Sequence, residues 1–358
     1  MCNAGKSKAL IAMSGGVDSS VAALMIKNLG FNIIGCTMKL YDNPDTTRSC
    51  CSLNDILDAR NVATKLGAKH YVFNFKDEFK NKIIDKFINF YESGKTPNPC
   101  IDCNKYMKFD KLFDRARVLN CDYVVTGHYA IIENKNGKFY LKKSRDAAKD
   151  QSYFLYQLKE EQLKKILFPL GEYTKDEIRK IAFDNGLINA KKPDSQDVCF
   201  VPNGDYKNVI KTISKKTYDR GDFLLIDGTK IGEHNGIINY TIGQRKGLNI
   251  AYKKPLYVVD IDVKNNNVIL GDDEQLYKKE FIIKNYTFIN EKPSENIFNC
   301  KIKIRYHHIE KEAKVEIVDD DTMRVSFIEP QRAITRGQSA VLYDGEYVLG
   351  GGEIFDII

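Results

Sequence analysis

Along the first 130 or so residues, short apolar runs alternate with stretches whose hydrophobic positions recur every three to four residues. Lys8–Met13 and Asn32–Met38 have the length and apolar character of strands. Between them, Ser19–Leu29 is rich in helix formers and places Val21, Leu24, Met25 and Leu29 at helical spacing. Asp55–Leu66 repeats that pattern through Ile56, Ala59, Val62, Ala63 and Leu66, and Tyr71–Phe75 predicts a third strand. Phe79–Tyr91 and Phe109–Leu119 are amphipathic, and Tyr123–Thr126 predicts a further strand. Such alternation predicts an α/β domain, a doubly wound parallel sheet covered on both faces, with ligands at the carboxyl ends of its strands.

From about residue 206 the pattern changes to short alternating runs: Asp222–Ile226, Pro255–Val263, Asn267–Leu270, Cys300–Tyr306, Lys314–Val318, Met323–Ile328, Ser339–Tyr343 and Glu346–Leu349. Asp-Gly, Gly and Asn turns separate them, which predicts a small β-rich central domain followed by a C-terminal β-barrel. The expected boundaries are 1–205, 206–276 and 277–358.

Length and composition narrow the class. A chain of 358 residues with 43% hydrophobic and 29% charged positions excludes a disulfide mini-protein and a wholly disordered polymer. No apolar run reaches the ~18 residues of a membrane helix. The basic start ahead of Lys8 reads as the approach to a strand rather than a signal peptide. The formal charge of +7 leans towards a polyanionic partner, although many enzymes carry such an excess without touching nucleic acid. Nine cysteines, an odd number, suggest a reducing cytoplasm and thiols that react or bind metal.

The strongest local motif is Ser14-Gly15-Gly16-Val17-Asp18-Ser19-Ser20, which leaves the first strand and opens the first helix. Two glycines let the backbone fold around an anion, the serines add hydroxyl donors, and the helix start adds its dipole. Asp18 is unexpected at a phosphate site unless it holds Mg²⁺ or orients the loop. A plain strand-to-helix turn with a polar cap is the simpler alternative. The motif lacks both the lysine of a Walker loop and the GxGxxG of a dinucleotide site.

Cys100 and Cys103 form a Cys-x-x-Cys pair after Thr96-Pro97-Asn98-Pro99, whose prolines are expected to delay regular helix until past the second thiol. Cys199 follows Asp194-Ser195-Gln196-Asp197-Val198. A Cys-x-x-Cys pair can share a metal or exchange disulfides. Half of a structural zinc site is the competing reading, but Cys50 and Cys51 are adjacent and poorly placed to complete it. Cys36, Cys121 and Cys300 read as small buried hydrophobes, and Cys2 as a terminal thiol.

The SGGVDSS loop resembles that of the PP-loop ATP pyrophosphatases. Further motifs are similar to those of the tRNA-specific 2-thiouridylases over essentially the whole chain. They are Thr96–Pro99 with Cys103-Asn104-Lys105, Thr126-Gly127-His128-Tyr129, Lys149–Leu155, Lys192–Asp197 before Cys199, Tyr240–Leu248, Pro330–Ile334 and Gly337–Val341. Arg336 stands where proline is common in that family.

The resemblance implies ATP and Mg²⁺ as cofactors and adenylation of the C2 oxygen of the wobble uridine, position 34, before sulfur replaces it. It implies nucleotide contacts from Ala12, Met13, Ser14, Gly15, Gly16, Val17, Asp18, Ser19, Met38 and Gly127. Cys199 would carry sulfur as a persulfide and Cys103 would be the second catalytic thiol, the nucleophile that releases the sulfur by forming a disulfide with Cys199, or else an acid/base on the way. Many family members carry Asp where this chain has Cys100. Cys100, Cys103 and Cys199 together would instead suit a 4Fe–4S cluster carrying sulfide.

For tRNA, the resemblance implies contacts from Asn98, Pro99, Cys100, His128, Lys149, Asp150, Gln151, Arg305, Tyr306 and Gln338. Alternation alone places Lys301, Lys303 and Arg305 on one strand face, as an ordinary solvated face would. His128 has a core-histidine alternative. Implied partners are tRNAs reading Lys, Glu and Gln codons and a sulfur donor such as a cysteine desulfurase or relay protein, with no membrane. Another PP-loop enzyme, such as an amidotransferase-type synthetase, and a non-catalytic RNA-binding module are the alternatives.

Overall fold

A computed structural model describes residues 7–41, 52–193 and 198–358. Cys2, Cys50, Cys51 and Asp194–Asp197 lie outside the described residues. The chain divides into two compact units: Met1–Ile83 with Pro99–Gly204 and Glu346–Leu349, and Ile84–Asn98 with Asp205–Gly345 and Gly350–Ile358.

The first unit holds the expected parallel sheet. β1 (Lys8–Ala12), β2 (Asn32–Lys39), β3 (Lys69–Asn74) and β4 (Tyr123–Val125) lie in the order β3-β2-β1-β4, and Ile166–Leu167 adds a short fifth strand beside β4. Every pairing is parallel. Alternate residues of β1 serve opposite faces. Ala9 and Ile11 pack with Val21, Ala22, Leu24, Val62 and Ala63 from helices α1 (Val17–Asn28) and α2 (Leu53–Lys65). Leu10 packs with Ile34, Cys36, Val124 and, from the helix Leu112–Val118, with Leu112 and Ala116. A strand buried on both faces reads as an unbroken apolar run, which is how β1 appears in the sequence.

Two helical expectations need correction. Phe79–Tyr91 is not one helix: α-helical Lys76–Phe79 and Asp85–Glu92 flank a π-helical stretch, Lys80–Ile84. The prolines do not hold off helix until after Cys103, because helix starts at Pro99 itself. The first helical turn has no use for the N–H that proline lacks, and its fixed φ suits that position. Pro99–Asp102 then runs into a nine-residue π-helix, Cys103–Lys111, and on into Leu112–Val118. Both thiols of the Cys-x-x-Cys pair are therefore helical.

The second unit carries two β structures. In the first, Tyr257–Asp262, Asn267–Gly271, Gly221–Leu225 and Lys230–His234 form a four-stranded sheet in that order around Phe223, Tyr240, Leu256, Val258 and Val268. The alternation missed Lys230–His234, whose sequence is mostly polar, and the helix Tyr206–Ser214. In the second, Tyr277–Phe288, Thr322–Arg332, Lys311–Ile317, Ile297–Lys303, Ser339–Asp344 and Tyr347–Ile357, which belongs to this unit from Gly350 on, follow one another, and Gly350–Ile357 pairs back with the first. Closure makes this a six-stranded barrel without free edges. Phe281 and Phe327 fill its interior, ring centroids 5.7 Å apart. Arg305 does not share the face of Lys301 and Lys303: the strand ends at Lys303 and Arg305 lies in the bend beyond it.

Phe281→Ala should destabilise the barrel by about 3–5 kcal/mol, because a closed interior cannot collapse onto the space left by a ring. Hydrogen exchange of the barrel strands checks this; unchanged protection would contradict the assignment of Phe281 to the core.

Candidate active site

The loop after β1 is pinned where it leaves the strand. The Met13 N–H donates to the Cys36 carbonyl at 2.7 Å, and the Met13 carbonyl accepts from Thr37 Oγ1 at 2.7 Å. With its proton so committed, the Thr37 hydroxyl accepts from His70 Nε2 at 2.9 Å. Gly15 adopts φ +76°, and a Cβ there would lie 2.3 Å from the Asp55 carbonyl oxygen. Only glycine satisfies both the left-handed backbone and that approach. Gly16 is the N-cap of α1 and has no side chain to cap the helix, so among the described residues no side-chain cap serves its first-turn N–H groups. An anion is the natural acceptor for such donors.

The serines divide the work unequally. Ser14 is exposed, and its Oγ lies 3.3 Å from Ser19 Oγ. Ser19 Oγ accepts from the Ser14 N–H at 3.2 Å and donates back to the Gly16 carbonyl at 3.2 Å. Ser20 is fully buried and donates to the Gly16 carbonyl at 2.9 Å, so it braces the loop from behind rather than facing an anion. Asp18 is engaged in the same way. Its two oxygens accept from Lys175 Nζ at 2.7 and 2.8 Å, and Oδ1 also accepts from the Tyr129 hydroxyl at 2.8 Å. Of the two roles open to Asp18, this geometry supports orienting the loop.

Asn189 is a site residue outside every motif of the sequence, and Lys192, which opens the Lys192–Asp197 motif, had no role assigned to it there. Asn189 Nδ2 lies 3.0 Å from the Gly15 carbonyl, 3.1 Å from the Gly16 carbonyl and 2.7 Å from Ser20 Oγ. Lys192 Nζ donates to Asp55 at 2.6 Å, Asp58 at 2.9 Å and the Gly15 carbonyl at 3.3 Å. The carboxylates hold the ammonium's pKa above its ordinary value despite the opposing effect of burial, the largest single influence. The signal for Lys192 was its place at the head of the Lys192–Asp197 motif; Asn189 had none beyond lying three residues before it.

Gly127 follows β4 and stands against the loop: a Cβ on it would lie 2.9 Å from the Asp18 carbonyl carbon and from the Ser19 nitrogen. Met38 is half-buried near the end of β2 and, with Ala12, packs against the Leu10 cluster. Val17 is buried in the α1 core.

Cys103 is buried at the first position of the π-helix, while Cys100 and Cys199 are partly exposed. Beside Cys199, Phe200 is buried edge-on against Phe79, ring centroids 5.7 Å apart. Among the described residues no three His, Cys, Asp or Glu side chains are grouped to hold a metal ion. Cys100, Cys103 and Cys199 thus do not form a cage for an iron–sulfur cluster as they stand. The other described cysteines behave as apolar residues. Burial pushes the Cys300 thiol up to about 12 and raises Cys36 further, while Cys121 is raised although only half-buried.

Several residues expected at the tRNA are committed within their own unit. The Asp150 carboxylate accepts from the Ser144 and Ser152 N–H groups and the Ser152 hydroxyl, and Gln151 Oε1 accepts from the Tyr129 N–H. His128 is buried between Phe109 and Phe168, its Nδ1 2.7 Å from Thr126 Oγ1 and its Nε2 3.4 Å from Lys108 Nζ. Its side chain matches the core-histidine alternative: burial, then the Lys108 charge, holds its pKa well below the ordinary value. Lys149 is half-buried. In the second unit, Gln338 Nε2 donates to the Thr96 carbonyl at 2.8 Å, next to Pro97 and half-buried Asn98. Arg305 donates to the Arg332 carbonyl at 3.1 Å, and Tyr306 stacks obliquely with His307. Pro99 is buried at the start of its helix.

A parallel sheet whose first strand delivers a glycine-serine loop to a helix start defines a nucleotide-binding α/β enzyme, here joined to two β structures. Residues 7–203 match the family described as tRNA methyl transferase HUP domain, 207–272 the tRNA methyl transferase PRC-barrel domain and 278–354 the aminomethyltransferase beta-barrel domain. The chain is 50% identical over 97% of its length, and 98% of the relative's, to tRNA-specific 2-thiouridylase MnmA of Clostridioides difficile. It is 46% identical over 98% of its length to the enzyme of that name from Acetivibrio thermocellus, covering 99% of it. The chain belongs to the tRNA-specific 2-thiouridylase family. Among solved structures, U34-tRNA thiolase NcsA of Methanococcus maripaludis with its 4Fe-4S cluster is far more distant: 19% identity, TM-score 0.35, and coverage of 58% of this chain and 65% of that one.

Two predictions follow from the geometry. Gly127→Ala should lower ATP affinity on the order of tenfold by pushing on the loop at Asp18 and Ser19, as calorimetric titration would read; unchanged affinity would contradict the contact. For His128, folding holds the pKa down, so the unfolded chain takes up the proton first on acidification. Its stabilisation is complete above the unfolded value of about 6.5 and is lost as pH falls below it. Urea midpoints measured across pH should therefore fall less steeply on acidification in His128→Gln than in the wild type.

Proposed function

We propose that this protein uses ATP to replace the C2 oxygen of uridine 34 of tRNA with sulfur. The observation that carries the reading is that one compact unit holds both the phosphate-type loop and the thiols Cys103 and Cys199, in a chain half identical along its length to 2-thiouridylases. Uridine O2 attacks the α phosphorus of ATP and diphosphate leaves, so a poor leaving group becomes AMP. The N–H groups at the start of α1 and the Ser14 hydroxyl stabilise the developing phosphate charge. Magnesium would screen the same charge while held by phosphate oxygens and water, since Lys175 already engages both oxygens of Asp18.

Cys199, carrying a persulfide, then attacks C2 through its terminal sulfur and AMP departs. The Cys103 thiolate attacks Cys199 Sγ; the Cys199 S–S bond breaks, a Cys103–Cys199 disulfide forms and the thiocarbonyl is released. A cytoplasmic thiol reductant resets the pair. The cluster route through Cys100 lacks a preformed cage and supplies no step. The sulfur donor is a cysteine desulfurase or relay protein, and the substrates are tRNAs reading Lys, Glu and Gln codons. Arg305 and Tyr306 at the barrel, with Lys149, Asn98 and Cys100, are the proposed tRNA contacts; the expected boundaries 1–205, 206–276 and 277–358 are retained as the functional divisions.

The family descriptions speak of methyl transfer. Methyl transfer from a sulfonium donor needs neither ATP cleavage nor a thiol pair, and the sequence supplies both a phosphate loop and the thiols. Mass analysis of the wobble uridine after incubation with tRNA, ATP, Mg²⁺ and a sulfur source decides the matter. Exchange of oxygen for sulfur is expected, lost in Cys199→Ser; a methyl-sized gain, or activity retained in that variant, would overturn the reading. Arg305→Ala should weaken tRNA binding and reduce its salt dependence by about one ion, leaving ATP affinity intact.

A further inference from the structure

Tyr129 and Lys175 each touch two parts of the first unit that the motifs treat separately. Their side chains meet on Asp18: the Tyr129 hydroxyl donates to Oδ1, and Lys175 Nζ donates to both oxygens. Their backbones meet the turn that carries Lys149. The Tyr129 N–H donates to Gln151 Oε1 at 3.0 Å, and the Tyr129 carbonyl accepts from the Gln151 N–H at 2.8 Å. The Lys175 N–H donates to Asp146 Oδ2 at 3.0 Å. Asp146 in turn holds the residues leading to Lys149. Its Oδ1 accepts from the Ala148 N–H at 3.1 Å and its carbonyl from the Lys149 N–H at 3.0 Å. Two struts thus run side by side from the nucleotide loop to one turn, through observed contacts within one unit. Neither has slack. Tyr129 is buried in the core it shares with Val17, Val21 and Leu170, and Lys175 is buried as the first residue of its helix. A close-packed interior compresses little and transmits displacement.

We propose that Tyr129 and Lys175 are positioning residues that couple the nucleotide loop to the tRNA contact at Lys149, so that ATP and tRNA strengthen each other's binding. The proposal rests on the thiolation reading above, which supplies both ligands. Phosphates docking at the start of α1 fix Asp18, the second residue of that helix. The struts then fix Gln151 and Asp146, and with them the turn at Lys149. A tRNA phosphate on Lys149 orders the same bonds from the other end. Whichever ligand arrives first orders the shared network, and the second binds without that cost. The uridine is therefore held most tightly when the nucleotide that activates it is already in place.

The test measures, on the full chain, the Kd of tRNA with and without α,β-methylene-ATP, and the Kd of that analogue with and without tRNA. Linkage requires the two ratios to be equal. In the wild type the ratio should be at least about fivefold, the low end of ordinary coupling between sites. Tyr129→Phe removes one hydroxyl while keeping the ring and both backbone bonds, and should lower the ratio by about half or more. A residue that merely touched tRNA would change both arms equally and leave the ratio intact. Should Tyr129→Phe fail to fold, Asp146→Ala breaks the other strut at its far end and should lower the ratio likewise. Hydrogen exchange reads the struts directly: the analogue should slow the Tyr129, Gln151 and Lys175 amides in the wild type, and less so in Tyr129→Phe. A wild-type ratio near unity, or a full ratio in Tyr129→Phe, would overturn the proposal. Sulfur missing from tRNA although both ligands bind would overturn the thiolation reading alone; absent binding of either ligand would overturn both.

Discussion

A loop that turns its N–H groups towards an anion must turn carbonyls the other way, and those carbonyls need partners. Here they are Gly15 and Gly16, and much of the first unit is arranged to satisfy them. Ser19 and Ser20 donate to Gly16 from within α1, and Asn189 and Lys192 donate from outside the motif. The arrangement has a cost: among the described residues, Asn189 Oδ1 is buried without a hydrogen-bond partner, worth about 1–3 kcal/mol. That strain is tolerable because the amide's other end serves two adjacent peptides and a hydroxyl at once.

The sheet was legible because its strands are buried on both faces and stand as apolar runs between helical repeats. The loop was legible because glycine at Gly15 is a backbone requirement, visible without knowing what surrounds it. What the sequence could not reveal depended on partners distant along the chain. Asp18 looks like a metal ligand until Lys175, far along in sequence, occupies both of its oxygens. Ser20 looks like a phosphate donor until the helix turns it inwards. Pro99 looks like a helix breaker and is a helix starter, a distinction made by one position. Lys192 resembles any surface lysine until Asp55 and Asp58 meet it.

The second unit has its own organising contact. Arg336, where the resemblance led to an expectation of proline, reaches Asp260 of the four-stranded sheet at 2.9 Å and Asp356 of the barrel at 2.9 Å. Its peptide carbonyl accepts from the Thr96 N–H, while Gln338 holds the Thr96 carbonyl. A residue that seemed incidental in the sequence therefore ties two β structures and the Thr96 segment together. Proline could supply the turn and the carbonyl but none of the ionic links.

Thiols outside the proposed pair Cys103 and Cys199 also bear on the proposed chemistry. Sulfur passed as a persulfide is exchangeable with any thiolate it meets, so a protein carrying nine cysteines risks scrambling its own cargo. Cys36 and Cys300 are kept from ionising by burial, and a protonated thiol is a poor partner in exchange. Packing, which placed these side chains in the apolar interior, also insulates them chemically: under the proposed reaction, fidelity of sulfur delivery is in part a by-product of how tightly the interior is filled.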